Sequence, residues 1–77
     1  MSKLSLSQAL KIAKSVNYKG SMSEFYMGLH VEMEHSKVVG GSMLKVGEIV
    51  KNHLDERRDY YSFGVRKHFF SREEVGL

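Results

Sequence analysis

The sequence predicts a small all-α domain of three to four helices, built on a central antiparallel helix hairpin. Apolar residues recur at helical spacing in several segments, and serine followed three residues later by glutamate is typical of a helix start. The chain contains no proline, so glycine is the only strong break between these segments. With 77 residues and no cysteine, the chain can bury one small core, so residues 1–77 are expected to form a single domain.

The first helix is predicted over residues 5–18. An apolar stripe follows the helical spacing there, and Lys11 and Lys14 fall outside it. The stripe consists of Leu6, Ala9, Leu10, Ala13 and Val16. Gly20 then fits a C-terminal stop, because glycine readily adopts the left-handed conformation that ends many helices.

The second helix is predicted from Met22 to about Val39, after a capping box formed by residues 21–24. From Phe25 to Met33 the apolar residues also alternate with polar ones, and this periodicity alone favours a strand. Methionine, leucine and glutamate are good helix formers, and few β-branched residues occur before Val38. Composition and the capping box therefore favour a helix.

The third helix follows a break at Gly40 and Gly41, with Ser42 as its N-cap, and reaches about Arg57. Its apolar stripe consists of Met43, Val46, Ile49, Val50 and Leu54. Two adjacent glycines suit a tight antiparallel return, which is why a central hairpin is expected.

The last segment, residues 59–70, predicts a fourth helix that Gly64 weakens. One side of this helix would carry Tyr61, Val65, His68 and Phe69. Residues 71–74 resemble another capping box, after which at most a single turn fits.

Two ionisable residues fall inside the predicted apolar faces. Successive helical residues turn by about 100°, which places Glu32 on the apolar face of the second helix and His53 on that of the third. An unpaired buried carboxylate is costly. We therefore expect a charge-assisted hydrogen bond between Glu32 and His53 that sets the hairpin register, with Gly28 leaving room for the imidazole ring.

A metal site is an alternative use of the same residues. His35 follows Glu32 at the Glu-x-x-His spacing of carboxylate-bridged iron and manganese bundles. Zinc, iron or manganese could be held by Glu32, His35 and His53. A straight hairpin separates His35 from His53 by roughly 10 Å along the axis, so the prediction is no cofactor.

The basic residues crowd the C-terminal third of a chain whose formal net charge is +3. A possible partner or nucleic-acid surface consists of Arg57, Arg58, Tyr60, Tyr61, Arg66 and Lys67. Aromatic residues at helical spacing usually face inward, so a protein partner is favoured over nucleic acid. No apolar run approaches the ~20 residues of a membrane span, and no known catalytic motif is present, so neither a membrane association nor an enzyme is expected.

Two sequence blocks resemble a family of short uncharacterised proteins found mainly in bacteriophage and bacterial genomes. The first block comprises Phe25, Gly28 and residues 31–35, and the second comprises Gly47, Ile49, residues 53–56 and residues 59–61. This chain differs in its short loop between the blocks and in Arg58, where a proline is expected. The resemblance implies a helical fold and a phage origin, and it implies importance for Glu32, Glu34, His35, His53, Tyr60 and Tyr61. We expect residues 59–61 to close the hairpin by aromatic packing with phenol hydrogen bonds, in preference to forming a ligand or partner site.

The predicted function is a phage-encoded helical interaction module, specifically a minor structural or virion-associated protein with no catalytic activity. Residues 57–70 would form its docking surface, within a homo-oligomer or a phage assembly. Two alternatives are a small transition-metal-binding protein and a phage inhibitor of a host enzyme or defence factor. The expected location is the virion or the host cytoplasm.

Overall fold

The computed structural model describes residues 4–36 and 42–76, and within these ranges it contains four α-helices and no strand. They are α1 (Leu6–Ser15), α2 (Met22–Ser36), α3 (Met43–Glu56) and α4 (Tyr60–Arg66). The predicted all-α class is confirmed, and α2 is helical throughout the stretch whose alternation resembled a strand. None of the helices in the described ranges is long and apolar enough to cross a membrane.

The core lies around α2, which packs against each of the other three helices, while α3 also contacts α1 and α4. The buried apolar residues form one cluster to which all four helices and the C-terminal turn contribute. Its largest fully buried side chains are Tyr61, Phe25, Leu29, Val31, Val46, Val50 and Val75. Because α2 contacts every other helix, polar groups on it can reach both α3 and α4.

The antiparallel hairpin register is not confirmed. Contacts between α2 and α3 include those of Phe25 with Gly47, Gly28 with Val50, and Glu32 with His53. Residue numbers in these pairs rise together on both helices, whereas in a hairpin folded about Gly40 and Gly41 one number falls as the other rises. The predicted break at these two glycines lies outside the described residues.

Two helices end on a non-glycine residue in the left-handed conformation, Asn17 (φ 61°) after α1 and His68 (φ 63°) after α4. In both cases the next amide closes the helix: Tyr18 N–H donates to the Ala13 carbonyl at 2.8 Å, and Phe69 N–H donates to the Gly64 carbonyl at 2.7 Å. The predicted stop at Gly20 is therefore wrong by three residues, because asparagine tolerates this conformation.

The buried face of α1 is rotated from the predicted stripe. Leu6 is 59% exposed and Leu10 is 42% exposed, whereas Ile12, which the stripe omitted, is buried. A Cβ atom at Gly47 would lie 2.6 Å from Ile12 Cγ2, so α3 approaches α1 closely on the Ile12 side. This close approach buries Ile12 and leaves the two leucines in solvent. On α3, Ile49 is likewise exposed rather than buried.

The C-terminal segment folds back on α4, which is shorter than predicted and ends at Arg66. A Cβ atom at Gly64 would overlap the Phe70 ring, so this glycine allows Phe70 to pack against the helix. Consequently His68 and Phe69 are exposed instead of sharing a buried face with Tyr61.

The capping box predicted at residues 71–74 is confirmed. The Glu74 N–H donates to Ser71 Oγ at 3.1 Å, and the Ser71 N–H donates to Glu74 Oε1 at 2.8 Å. A single turn follows and buries Val75 completely. The C-terminal turn thus contributes an apolar side chain to the core.

Candidate functional site

A hydrogen-bonded cluster joins three helices through Glu32 on α2, His53 on α3 and Tyr61 on α4. Tyr61 Oη lies 3.0 Å from Glu32 Oε2 and 3.0 Å from His53 Nδ1. His53 Nδ1 lies 3.2 Å from the same carboxylate oxygen. The structure therefore brings the predicted acid and imidazole together, and it adds the Tyr61 hydroxyl to them.

The direction of each hydrogen bond follows from the chemistry of the three groups. An ionised carboxylate only accepts, so the Tyr61 hydroxyl donates to Glu32. His53 then donates its Nδ1–H toward the carboxylate and the phenolic oxygen. Every contact in the cluster is a donor facing an acceptor, which is the condition under which a buried polar network stabilises a fold.

Tyr61 is completely buried, while 14% of the Glu32 side chain and 31% of the His53 side chain are exposed. Burial, and next the neighbouring Glu32 carboxylate, raise the pKa of Tyr61 far above its usual value. The phenol is therefore protonated at neutral pH and acts as a hydrogen-bond donor. The His53 ring stacks on Tyr60, with ring centroids 4.6 Å apart and an interplanar angle of 11°.

The space at Gly28 is filled by Tyr61, not by His53 as predicted. A Cβ atom on Gly28 would overlap the Tyr61 ring and would lie 2.6 Å from Val50 Cγ1. The missing side chain thus lets the buried phenol reach the surface of α2. His53 approaches Glu32 from the next turn of α3 after Val50.

A second carboxylate on α2 caps α4. Glu24 is 8% exposed, and its Oε1 accepts the N–H groups of Tyr61 at 3.0 Å and Ser62 at 3.2 Å. Asp59, the residue at the N-cap position of α4, makes no side-chain cap bond. The predicted capping box of α2 is only half formed: Glu24 N–H donates to Ser21 Oγ at 3.3 Å, whereas the carboxylate turns to α4. Nothing near Glu24 in the sequence predicts this role.

Three cations surround Phe63 at the protein surface. The guanidinium carbon of Arg57 lies 3.6 Å from the ring centroid, and Arg66 Cζ and Lys67 Nζ each lie 5.9 Å from it. Asp59 accepts hydrogen bonds from Arg57 Nε at 2.7 Å and Arg66 Nη2 at 2.9 Å. These two bonds lower the pKa of Asp59, the one from Arg57 contributing most. We call Arg57, Phe63, Arg66, Lys67 and the neighbouring Phe69 the Phe63 surface.

The predicted partner residues do not all belong to this surface. Tyr61 is fully buried and cannot contact a partner, which corrects the prediction, because its ring fills the core beside Gly28. Tyr60 packs against His53. Arg58 follows the extended residue Arg57 (φ −150°, ψ 116°) and lines a cleft together with Leu54 and Asp55 of α3.

The proposed metal ligands are only partly described. Glu32 and His53 are adjacent, but the side chain of His35 lies outside the described residues. Among the side chains that the structure does describe, no three histidine, aspartate or glutamate residues are grouped so that they could hold a metal ion. The third member of the cluster is a protonated phenol, which is a poor metal ligand.

Comparison with models of known protein families finds a match. A family model with the description "Protein of unknown function (DUF5661)" matches residues 3–63. The chain belongs to this family. The predicted membership of an uncharacterised family is thereby confirmed, and the matched range includes Glu24, Glu32, His53 and Tyr61. Neither the curated proteins nor the solved structures include a match.

Proposed function

We propose that this member of the family is a small helical interaction module without catalytic activity, which binds an acidic protein partner through the Phe63 surface. The observation that carries the proposal is the way Asp59 and Phe63 hold Arg57 and Arg66 at the surface. Arginine and aromatic side chains are enriched at the energetic centres of protein interfaces. Side chains that are already oriented lose less conformational entropy on binding.

The buried cluster supports a structural role instead of catalysis. Tyr61 has no exposed surface, so a substrate has no access to its hydroxyl. Among the described residues, no buried side-chain nitrogen or oxygen lacks a hydrogen-bond partner. A polar network in which every buried donor and acceptor is satisfied fastens helices together.

The charge of the Phe63 surface supports an acidic partner. Arg57, Arg66 and Lys67 outnumber the single carboxylate of Asp59, and Phe69 beside them is 69% exposed. A positive rim around an apolar contact favours an acidic patch that carries a hydrophobic centre. The resemblance to phage-encoded proteins makes a virion component the first partner to test. A host enzyme or defence factor is the alternative partner for the same surface.

A site-specific cross-linker tests the proposal. Phe69 is replaced by the photoreactive benzoylphenylalanine, and the same replacement at Leu6, which is 59% exposed on α1, is the matched control. We expect an acidic protein to be captured at position 69 and not at position 6. We also expect capture to fall when Arg66→Gln is added and to persist with Lys11→Gln, which removes an exposed cation elsewhere.

Equal capture at both positions, or capture of nucleic acid alone, would contradict the proposal. The identity of the captured protein separates the two kinds of partner, a virion component and a host enzyme or defence factor. Mass spectrometry of purified phage particles then tests the virion assignment independently, because a virion-associated protein remains with the particle after purification.

A further inference from the structure

A cleft lies between the α1–α2 loop and the C-terminal end of α3, separate from the Phe63 surface. Its volume is about 460 Å³, within the range typical of small-molecule sites. The lining residues that matter for its chemistry are Tyr18, Lys19, Lys51, Leu54, Asp55 and Arg58. They combine an apolar floor with three cations and one carboxylate.

The floor of the cleft is rigid and aromatic. Leu54 is 4% exposed, and the Tyr18 ring stacks on the buried Phe25 ring with centroids 4.7 Å apart. The Tyr18 hydroxyl donates to the Ser21 carbonyl at 3.0 Å, which fixes the ring from its other end. Gly20 also packs against the hydroxyl end of this ring, where a Cβ atom would lie 2.8 Å from Tyr18 Cζ. The part of the Tyr18 ring that lines the cleft is therefore already held in place.

The walls of the cleft are positively charged. Lys51 Nζ donates to the Val16 carbonyl at 3.1 Å, which uses one of its three N–H groups. Lys19 and Arg58 are exposed at the rim, and neither is paired with a carboxylate among the described residues. Asp55 is the only acidic residue among the described residues that line the cleft. An anionic group is thus favoured near Arg58, with Asp55 available to accept hydrogen bonds from a ligand.

We propose that this cleft binds a ligand with a phosphate group on a flat aromatic ring system, as in a nucleotide. The ring would pack against Tyr18 and Leu54, and the phosphate would be bound by Arg58 and Lys19. Asp55 would accept hydrogen bonds from hydroxyl or amino groups of the ligand. This site shares no residue with the Phe63 surface, so its test is independent of the test of the proposed interaction function.

Chemical-shift mapping of the isotope-labelled protein tests the site with adenosine monophosphate, adenosine and inorganic phosphate. We expect saturable shifts at residues 17–21 and 51–58. Adenosine monophosphate should bind roughly tenfold more tightly than either fragment, because only it contacts the ring floor and the cations together. A 5′-phosphorylated oligonucleotide distinguishes a free nucleotide from a strand end, according to which of the two binds more tightly.

Two charge-neutralising variants make the test specific. Arg58→Gln should weaken adenosine monophosphate binding by roughly tenfold, the typical loss of one charged hydrogen-bonding contact. Arg66→Gln, which removes a cation from the Phe63 surface, should leave the affinity unchanged. The proposal is overturned if the cleft shows no saturable shift at millimolar ligand. Equal affinities for adenosine monophosphate and phosphate, or equal losses in the two variants, would also overturn it.

Discussion

Removal of the Glu24 side chain is expected to destabilise the protein at α4, although Glu24 belongs to α2. Its carboxylate is the acceptor for the N–H groups of Tyr61 and Ser62, and the N-cap residue Asp59 supplies no side-chain acceptor of its own. In Glu24→Ala both amides lose their acceptor. A buried donor without a partner costs about 1–3 kcal/mol. Because the Ser62 N–H is only partly buried, we expect a loss of about 2–4 kcal/mol in the free energy of unfolding.

The isosteric variant separates the hydrogen bonds from the charge. Glu24→Gln keeps an oxygen acceptor and loses only the negative charge at the helix N-terminus, so its expected loss is about 1–2 kcal/mol. Glu48→Ala is the matched control, since Glu48 is exposed on α3, and its effect should stay within about 0.5 kcal/mol.

Urea unfolding followed by circular dichroism at pH 7 measures these differences, and amide hydrogen exchange locates them. In Glu24→Ala the amides of Tyr61 and Ser62 should exchange faster than the change in global stability requires. Equal stability of Glu24→Ala and Glu48→Ala, or exchange at these two amides that follows only global unfolding, would show that Glu24 does not cap α4.

Three further predictions concern backbone fit and pH. Gly28→Ala should lower the melting temperature, because a Cβ atom overlaps the Tyr61 ring. The expected overpacking cost of about 1–3 kcal/mol exceeds the ~1 kcal/mol that alanine gains over glycine in a helix. A higher melting temperature would show that the helices do not approach closely at Gly28. Stability should fall as the pH rises above about 10, because the Tyr61 phenol ionises there in the unfolded chain. In the folded protein the pKa of Tyr61 is raised, so the phenol stays protonated. Urea unfolding from pH 8 to 11 measures this slope, which should be smaller in Tyr61→Phe, and an unchanged slope would contradict the assignment. His68→Gly should stabilise the protein by about 1 kcal/mol in urea unfolding, because His68 adopts the left-handed conformation that glycine prefers (φ 63°), and a loss would show that the imidazole makes a favourable contact.

The helices and part of the buried cluster could be predicted from local sequence patterns. The capping box and the abundance of methionine, leucine and glutamate favoured a helix for Met22–Ser36 over the strand that its alternation indicated. Once that segment is a helix, the position of Glu32 on its apolar face requires a polar partner. His53 occupies the corresponding face of α3, so the pairing of these two residues follows from helical geometry and the cost of burying charge.

Features that depend on packing between distant segments could not be predicted in this way. Glu24 matches a local capping pattern, and nothing near it in sequence shows that α4 offers more buried donors than its own helix start. Tyr61 was predicted both on the inward side of the last helix and within a possible partner surface, and its fit against Gly28 shows that it belongs to the core. Likewise, Leu6 and Leu10 complete an apolar stripe on α1, but the close approach of α3 at Gly47 buries a different face.

A double-mutant cycle between Glu32 and His53, measured by urea unfolding at pH 7, tests whether these two residues act through one network with Tyr61 that joins α2, α3 and α4. We expect that the losses in Glu32→Ala and His53→Ala do not add in the double variant, with a coupling energy of about 1–3 kcal/mol. Losses that add to within about 0.5 kcal/mol would show that the two side chains act independently and that the network does not join the helices.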